Sequence, residues 1–154
     1  VSGVLIREAV SEEDRRAAFA VRREVFVGEQ GVPEELEYDA LDAGAVHVVA
    51  LGADGTALGA GRLLHGPDAA GQTGGAAGVG SLGRLAVSRA ARGTGLGAAL
   101  VRAIEDAARE RGLTAVDLHA QTHALGFYRK LGYQAYGEEY LEAGIPHQGM
   151  RRVL

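Results

Sequence analysis

Apolar positions along this chain follow two rhythms, and each predicts an element. Alternation with a period of two marks strands, and recurrence every three or four residues marks helices. Leu113 to Ala120 shows the first: Val116, Leu118 and Ala120 point one way, Asp117, His119 and Gln121 the other. Thr94 to Arg111 shows the second. Leu96, Leu100, Ile104 and Ala107 or Ala108 form a buried stripe, and Gly112 is suited to end the helix. Arg102–Asp106 and Glu105–Arg109 read as i,i+4 charge pairs on its exposed side.

Gly3 to Val10 reads as a first strand. Ser11 followed by Asp14 resembles a capping box, and the next helix carries Ala18, Val21, Val25 and Phe26 on one side. Arg15, Arg16, Arg22 and Arg23 fall largely outside that stripe, and the helix should end near Glu29 or Gly31. Val32-Pro33 forces extended backbone. Pro33 to Asp42 then holds Glu34, Glu35, Glu37, Asp39 and Asp42, as a second short helix or a loop. A solvated face is the common reading of such a run, and a pocket for an amino group the sharper one. Ala45–Leu51 and Thr56–Leu64 form a hairpin through Ala53-Asp54-Gly55. Gly66 to Gly80 has few groups to bury and predicts a mobile loop. Ser81–Ser88 is another strand and His123–Leu131 a short helix. Tyr133–Tyr140 and Gly149–Leu154 are two closing strands, joined through Glu142 to His147. Hairpins come first and a strand–helix–strand crossover follows. The order predicts a mixed α/β domain over residues 1–154, with helices covering one sheet.

Composition narrows the chemistry. At 47% hydrophobic and 23% charged residues the chain is globular, and its net charge of −4 argues against a general nucleic-acid binder. The absence of cysteine excludes disulfides, thiolate metal sites and a cysteine nucleophile. No His, Asp and Glu spacing suggests a metal site. No apolar run approaches the roughly 18–20 residues that span a membrane. Val1 opens without methionine and no signal-peptide pattern follows, so a soluble, cytoplasmic protein is the expectation.

The candidate chemistry centres on Arg92-Gly93-Thr94-Gly95-Leu96-Gly97, between a strand and the most regular helix. The first N–H groups of a helix lack internal partners and the macrodipole adds positive charge there, so a glycine-rich turn at that point suits a phosphate. A nucleotide P-loop needs GxxxxGK[ST], but no lysine follows these glycines. A dinucleotide GxGxxG opens the first unit of a parallel fold, whereas these glycines sit mid-chain with a different spacing. Arg92-x-x-Gly95-x-Gly97 does fit (Arg/Gln)xxGxG/A, a pyrophosphate site for coenzyme A.

On that loop, on Leu85-Ala86-Val87 five residues before Arg92, and on Phe127-Tyr128-Arg-Lys-Leu-Gly132-Tyr133, the chain resembles the GNAT superfamily of acyl-CoA N-acyltransferases. Arg22-x-x-Val25-Phe26-x-x-Glu29-Gln30, Glu37-x-Asp39 and Gly144-Ile145-Pro146-His147-x-x-Met150 are similar to its ElaA-type branch. The resemblance implies a mostly antiparallel twisted sheet of six to seven strands, flanked by about four helices, with a central splayed parallel pair. Acetyl-CoA would lie in that splay, with the pantetheine arm along Leu85, Ala86 and Val87. The pyrophosphate would rest on Arg92, Gly93, Thr94, Gly95, Leu96 and Gly97. Gln121, Phe127 and Tyr128 would join the coenzyme site, and Lys130 or Arg129 would reach the 3′-phosphate.

A primary amine, small or on an exposed amino group, would attack the thioester directly, and Tyr128 matches the family's acid for the thiolate. The family's usual strand glutamate is missing from SLGRLAVS, so the base is open among Glu29, Glu37, Asp39, His119 and His147, or water. His119 has a strand position beside the cleft and a suitable ordinary pKa. Phe26, Glu29, Glu37, Asp39 and His147 are the candidates for holding the acceptor. Dimers are frequent in the superfamily, which leaves a homodimer open. Two alternatives stand beside this reading. One is an enzyme like the acyl-homoserine-lactone synthases, loosely suggested by Arg22, Phe26, Asp39, Asp42 and Arg62. The other is a non-catalytic acyl-CoA sensor.

Overall fold

The computed structural model describes residues 3–154 and is built on one seven-stranded sheet. Its strands are β1 (Leu5–Glu8), β2 (Val46–Leu51), β3 (Ala57–Leu64), β4 (Val79–Val87), β5 (Ala115–Gln121), β6 (Gln134–Glu142) and β7 (Ile145–Val153). They lie in the order β1-β2-β3-β4-β5-β7-β6. Every neighbouring pair is antiparallel except β4 and β5. A tight turn at Gly52–Gly55 joins β2 to β3, while the parallel pair needs the long helical crossover that follows β4.

The helices are α1 (Glu12–Arg22), α2 (Glu34–Glu37), α3 (Ala70–Thr73), α4 (Leu96–Glu110) and α5 (Leu125–Lys130). Ser11 caps α1 by accepting the Asp14 N–H, as the sequence predicts. The helix continues without a break into wider π-helical turns over Arg23–Glu29. Alternation along β2 divides the core. Val46, Val48 and Ala50 cluster with Leu96, Leu100 and Ile104 of α4, whereas Val49 clusters with Ala18 and Val21 of α1. The sheet is therefore covered by α4 on one face and α1 on the other. Leu100 and Ile104 are fully buried, each contributing about 2 kcal/mol.

Five expectations are corrected. Arg22 is only 1% exposed instead of lying on a solvated face. Its Nε and Nη1 each lie 2.7 Å from a carboxylate, Glu37 and Asp42 respectively. The acidic stretch is thus only partly solvated: Glu34 and Glu35 are exposed, but α2 and a 3₁₀ turn over Ala40–Gly44 fold Glu37, Asp39 and Asp42 inward to meet Arg22 and Arg62. Glu105 is buried as well, accepting hydrogen bonds from Arg102, Arg152 and the Tyr133 hydroxyl, while Arg109 pairs with Asp106. Periodicity assigned Glu105 to the surface because Tyr133 and Arg152 lie far along the chain.

Gly66–Gly80 forms a 3₁₀ turn, α3 and the start of β4. Ala69 packs with Ala45 and Leu64, and the Thr73 carbonyl accepts from Arg151. Last, β6 and β7 meet through Ala143 and Gly144 alone, both at positive φ (51° and 76°), where a six-residue connection was expected. That is the backbone a two-residue hairpin turn requires.

Candidate active site

β4 and β5 pair only at Val79–Ala115, Gly80–Val116 and Ser81–Asp117. Beyond those pairs both strands continue without bonding each other. The divergence coincides with a bulge in β4: the register to β3 slips between Ala60 and Arg62, and Arg84 sits there at φ 50°. A bulge bends a strand and re-aims its side chains. Left-handed backbone at a non-glycine residue costs about 1 kcal/mol. The splay opens a cleft of about 280 Å³ between Leu82–Leu85 and Leu118–Gln121. Phe26 from the π-helical turns, Gln30 just after them, His123 and Ala124 before α5, Tyr128 from α5 and His147 from β7 also line it. Of the residues singled out by sequence, Phe26, Leu85, His119, Gln121, Tyr128 and His147 therefore meet in one place.

The β4 edge facing this cleft has unused hydrogen-bonding groups. The Ser88 N–H bonds the Leu58 carbonyl, so alternation turns the N–H and C=O of Val87 away from β3. The Val87 carbonyl accordingly accepts from Arg92 Nε at 3.1 Å. Past β4, the backbone N–H groups from Gly93 to Ala98 find no acceptor among the described residues. Gly93 and Gly95 lie at φ 77° and 85°, and no atom stands within 4 Å of where a Cβ would be. The result is an open run of donors on the first turn of α4, which fits a pyrophosphate. The Phe127 ring lies over Gly97, so the second aromatic motif packs against the start of this loop.

Burial pushes the Tyr128 phenol up to about 12, and its hydroxyl has no partner among the described residues. It is a neutral O–H donor at any ordinary pH, facing the cleft. His119 is fully engaged. Its Nε2 donates to the Gln72 carbonyl at 2.9 Å, and its Nδ1 lies 2.8 Å from the Tyr140 hydroxyl. Asp117 beside it raises its pKa, favouring the cation. His147 differs. Its Nδ1 donates to the Ile145 carbonyl at 2.7 Å, which leaves the Nε2 lone pair available, with Glu142 Oε2 3.5 Å away. The ring stacks on Tyr140.

Other predicted residues stand apart from the cleft. Glu29 holds Arg92 at 2.8 Å, and that pairing lowers the Glu29 pKa. Glu37 is bound by Arg22, and Asp39 by Arg62 and Arg84, so their charges serve an internal network. Phe127 and Lys130 lie on α5, outside the cleft lining. Sequence reasoning missed Arg84, which lines the cleft at the bulge; a positive φ at an arginine leaves no mark in a sequence. It missed Gln30 as well. A larger cavity, about 740 Å³, is lined by Glu24, Gly28, Glu29, Thr56–Leu58 and Ser88–Ala90. No aromatic or histidine side chain lines it, whereas the splayed-strand cleft has both.

This fold matches known proteins. Residues 6–154 match the family model described as an acetyltransferase (GNAT) domain. The chain is 40% identical over 145 residues to the uncharacterized N-acetyltransferase YjcF of Bacillus subtilis, covering 94% of this chain and 96% of that one. The crystal structure of an acyl-CoA N-acyltransferase from Pseudomonas aeruginosa superposes with a TM-score of 0.79 at 36% identity, covering 97% and 98% of the two chains. Escherichia coli ElaA gives a TM-score of 0.81 at 27% identity, over 97% and 99%. The chain belongs to the GNAT acetyltransferase family. Among the described residues no helix is long and apolar enough to cross a membrane.

Proposed function

We propose that this chain is a single-domain N-acetyltransferase that moves the acetyl group of acetyl-CoA to a primary amine in a ternary complex. The observation that carries this reading is the layout along β4. An edge with a free Val87 amide runs from the Tyr128 cleft directly into the unpaired amides of Gly93–Ala98. Bound along that edge, acetyl-CoA would supply a thioester that an amine attacks directly.

The amides of Gly93 to Gly97 hold the pyrophosphate, and Arg92, exchanging Glu29 for phosphate, adds a charge-assisted bond. Leu85 to Val87 take the pantetheine arm like an added strand, and the Val87 N–H polarises the thioester carbonyl. Tyr128, kept protonated by burial, donates a hydrogen bond to the departing sulfur. For the proton of the amine, the geometry favours His147 over His119. The Nε2 of His147 is free to accept, and the Glu142 carboxylate lies 3.5 Å from it. Both nitrogens of His119 are already occupied, so we assign it the orientation of Tyr140.

The test is a calorimetric titration with acetyl-CoA, followed by thiol release across a panel of amines. Saturable binding with amine-dependent release is expected. Absence of binding to any acyl-CoA would overturn the reading.

A further inference from the structure

A second cleft of about 190 Å³ adjoins the first and shares Leu82, Gly83, Arg84 and His119 with it. Its polar wall comprises Arg62, Gln72, Ser81, Arg84, His119 and, exposed at the rim, Glu142. Arg62 is only 5% exposed, and its buried Nε has no hydrogen-bond partner among the described residues. Its Nη1 is taken by Asp39 and Asp42. Arg84 bonds the Glu37 and Leu36 carbonyls and Asp39 through Nε and Nη2, but its Nη1 finds no acceptor among the described residues. Glu37, Asp39 and Asp42, which balance the arginines, line neither cleft. The wall thus offers the cleft one unspent guanidinium donor, Arg84 Nη1, together with the buried charge of Arg62. A buried donor left without an acceptor costs about 1–3 kcal/mol.

We propose that this second cleft binds a carboxylate of the acceptor, so that the substrate is an amine that also carries a carboxylate, of the amino-acid class. This rests on the acetyl-transfer reading above and names its acceptor. A free arginine donor in a pocket also lined by a second, buried arginine matches a carboxylate better than a cation or an alkyl chain. Arg84 is held below its usual pKa first by burial and next by the charge of Arg62, so an added negative charge relieves it. Because Arg84 and His119 line both clefts, a carboxylate held here leaves the amine of the same molecule directed towards the first cleft and Tyr128. The left-handed backbone at Arg84 fits this role, since strain is retained where the surrounding structure fixes a functional side chain.

The experiment measures acetyl transfer from acetyl-CoA to the common α-amino acids and short ω-amino acids. Each is compared with its own carboxamide and with the corresponding decarboxylated amine. The same compounds are titrated calorimetrically, so the pocket is judged even where no transfer occurs. At least one free acid should exceed its carboxamide by about tenfold or more in kcat/KM, mainly through KM, and in affinity. Arg84→Gln should erase that preference with the acetyl-CoA affinity unchanged, and Arg84→Lys should keep part of it. Carboxamides or plain amines that match or exceed the acids overturn the proposal, as does a preference that survives in Arg84→Gln. If acids bind preferentially but no acetyl group moves, the carboxylate pocket stands and the transferase reading fails. If transfer occurs without a carboxylate preference, the reverse holds.

Discussion

Arg22 Nη1 lies 2.7 Å from Asp42 Oδ1, with both side chains shut off from solvent. The same guanidinium bonds Glu37, and Asp42 also accepts from Arg62. Three segments distant in sequence are tied together. Arg22→Met should therefore cost about 3–5 kcal/mol, because two carboxylates lose a buried partner. Urea unfolding monitored by circular dichroism measures this, and a loss below about 1 kcal/mol would show the network to be weakly coupled to folding.

Acid should expose the same network. Burial alone would raise the Asp42 carboxyl, but hydrogen bonds from Arg22 and the Asp39 amide outweigh it and hold it at about 2, against an ordinary 3.8. A folded-state value below the unfolded one gives stability that is present above about pH 4 and lost as pH falls towards 2. The amount is on the order of 2 kcal/mol. Unfolding free energies measured across that window should slope accordingly, and Asp42→Asn should flatten the slope.

Removing the Tyr128 hydroxyl leaves no buried partner unsatisfied, since it has none among the described residues. Tyr128→Phe should keep its melting temperature and its acetyl-CoA affinity, while kcat falls about 10²-fold. A variant that loses acetyl-CoA binding instead would assign Tyr128 to the coenzyme site alone.

The two histidines should separate in kinetics. His147→Gln removes the free Nε2 base and should lower kcat about 10²-fold, with the loss shrinking as pH rises and more amine is already neutral. His119→Gln should cost less than about tenfold. Equal losses, or the reverse order, would return the base to His119.

At Gly95 a methyl group meets no atom within 4 Å, so Gly95→Ala introduces backbone strain without a clash. The loss in stability should be about 1 kcal/mol. Acetyl-CoA affinity should fall by more than that strain implies, about tenfold or more, as the run of amides is re-aimed. Calorimetry beside a thermal melt distinguishes the two effects.

Much of the fold was legible because its signals are local. The period-two alternation in Val116, Leu118 and Ala120, the 3.6-residue stripe from Leu96 to Ile104 and the Ser11 cap each reflect the chain's own neighbours. The loop from Arg92 to Gly97 was legible for the same reason: its run of unpaired N–H groups comes from consecutive backbone positions. The misplaced residues share one cause. Arg22, Glu37, Asp42 and Glu105 look solvated by composition and spacing, but partners 15 to 47 residues away neutralise them. Charge pairing across such separations follows from packing, which periodicity does not encode.

By itself, then, the sequence determined the order of the main strands and helices, the two apolar faces and the glycine-rich turn that begins α4. Only the tertiary structure decided where β4 and β5 part, that Arg84 stands at the bulge between two clefts, and that His147 keeps a free nitrogen where His119 does not. The physical reason is that a strand's geometry is set by its own residues, whereas a bulge, an orphaned donor or a histidine tautomer is set by what the rest of the chain brings beside it.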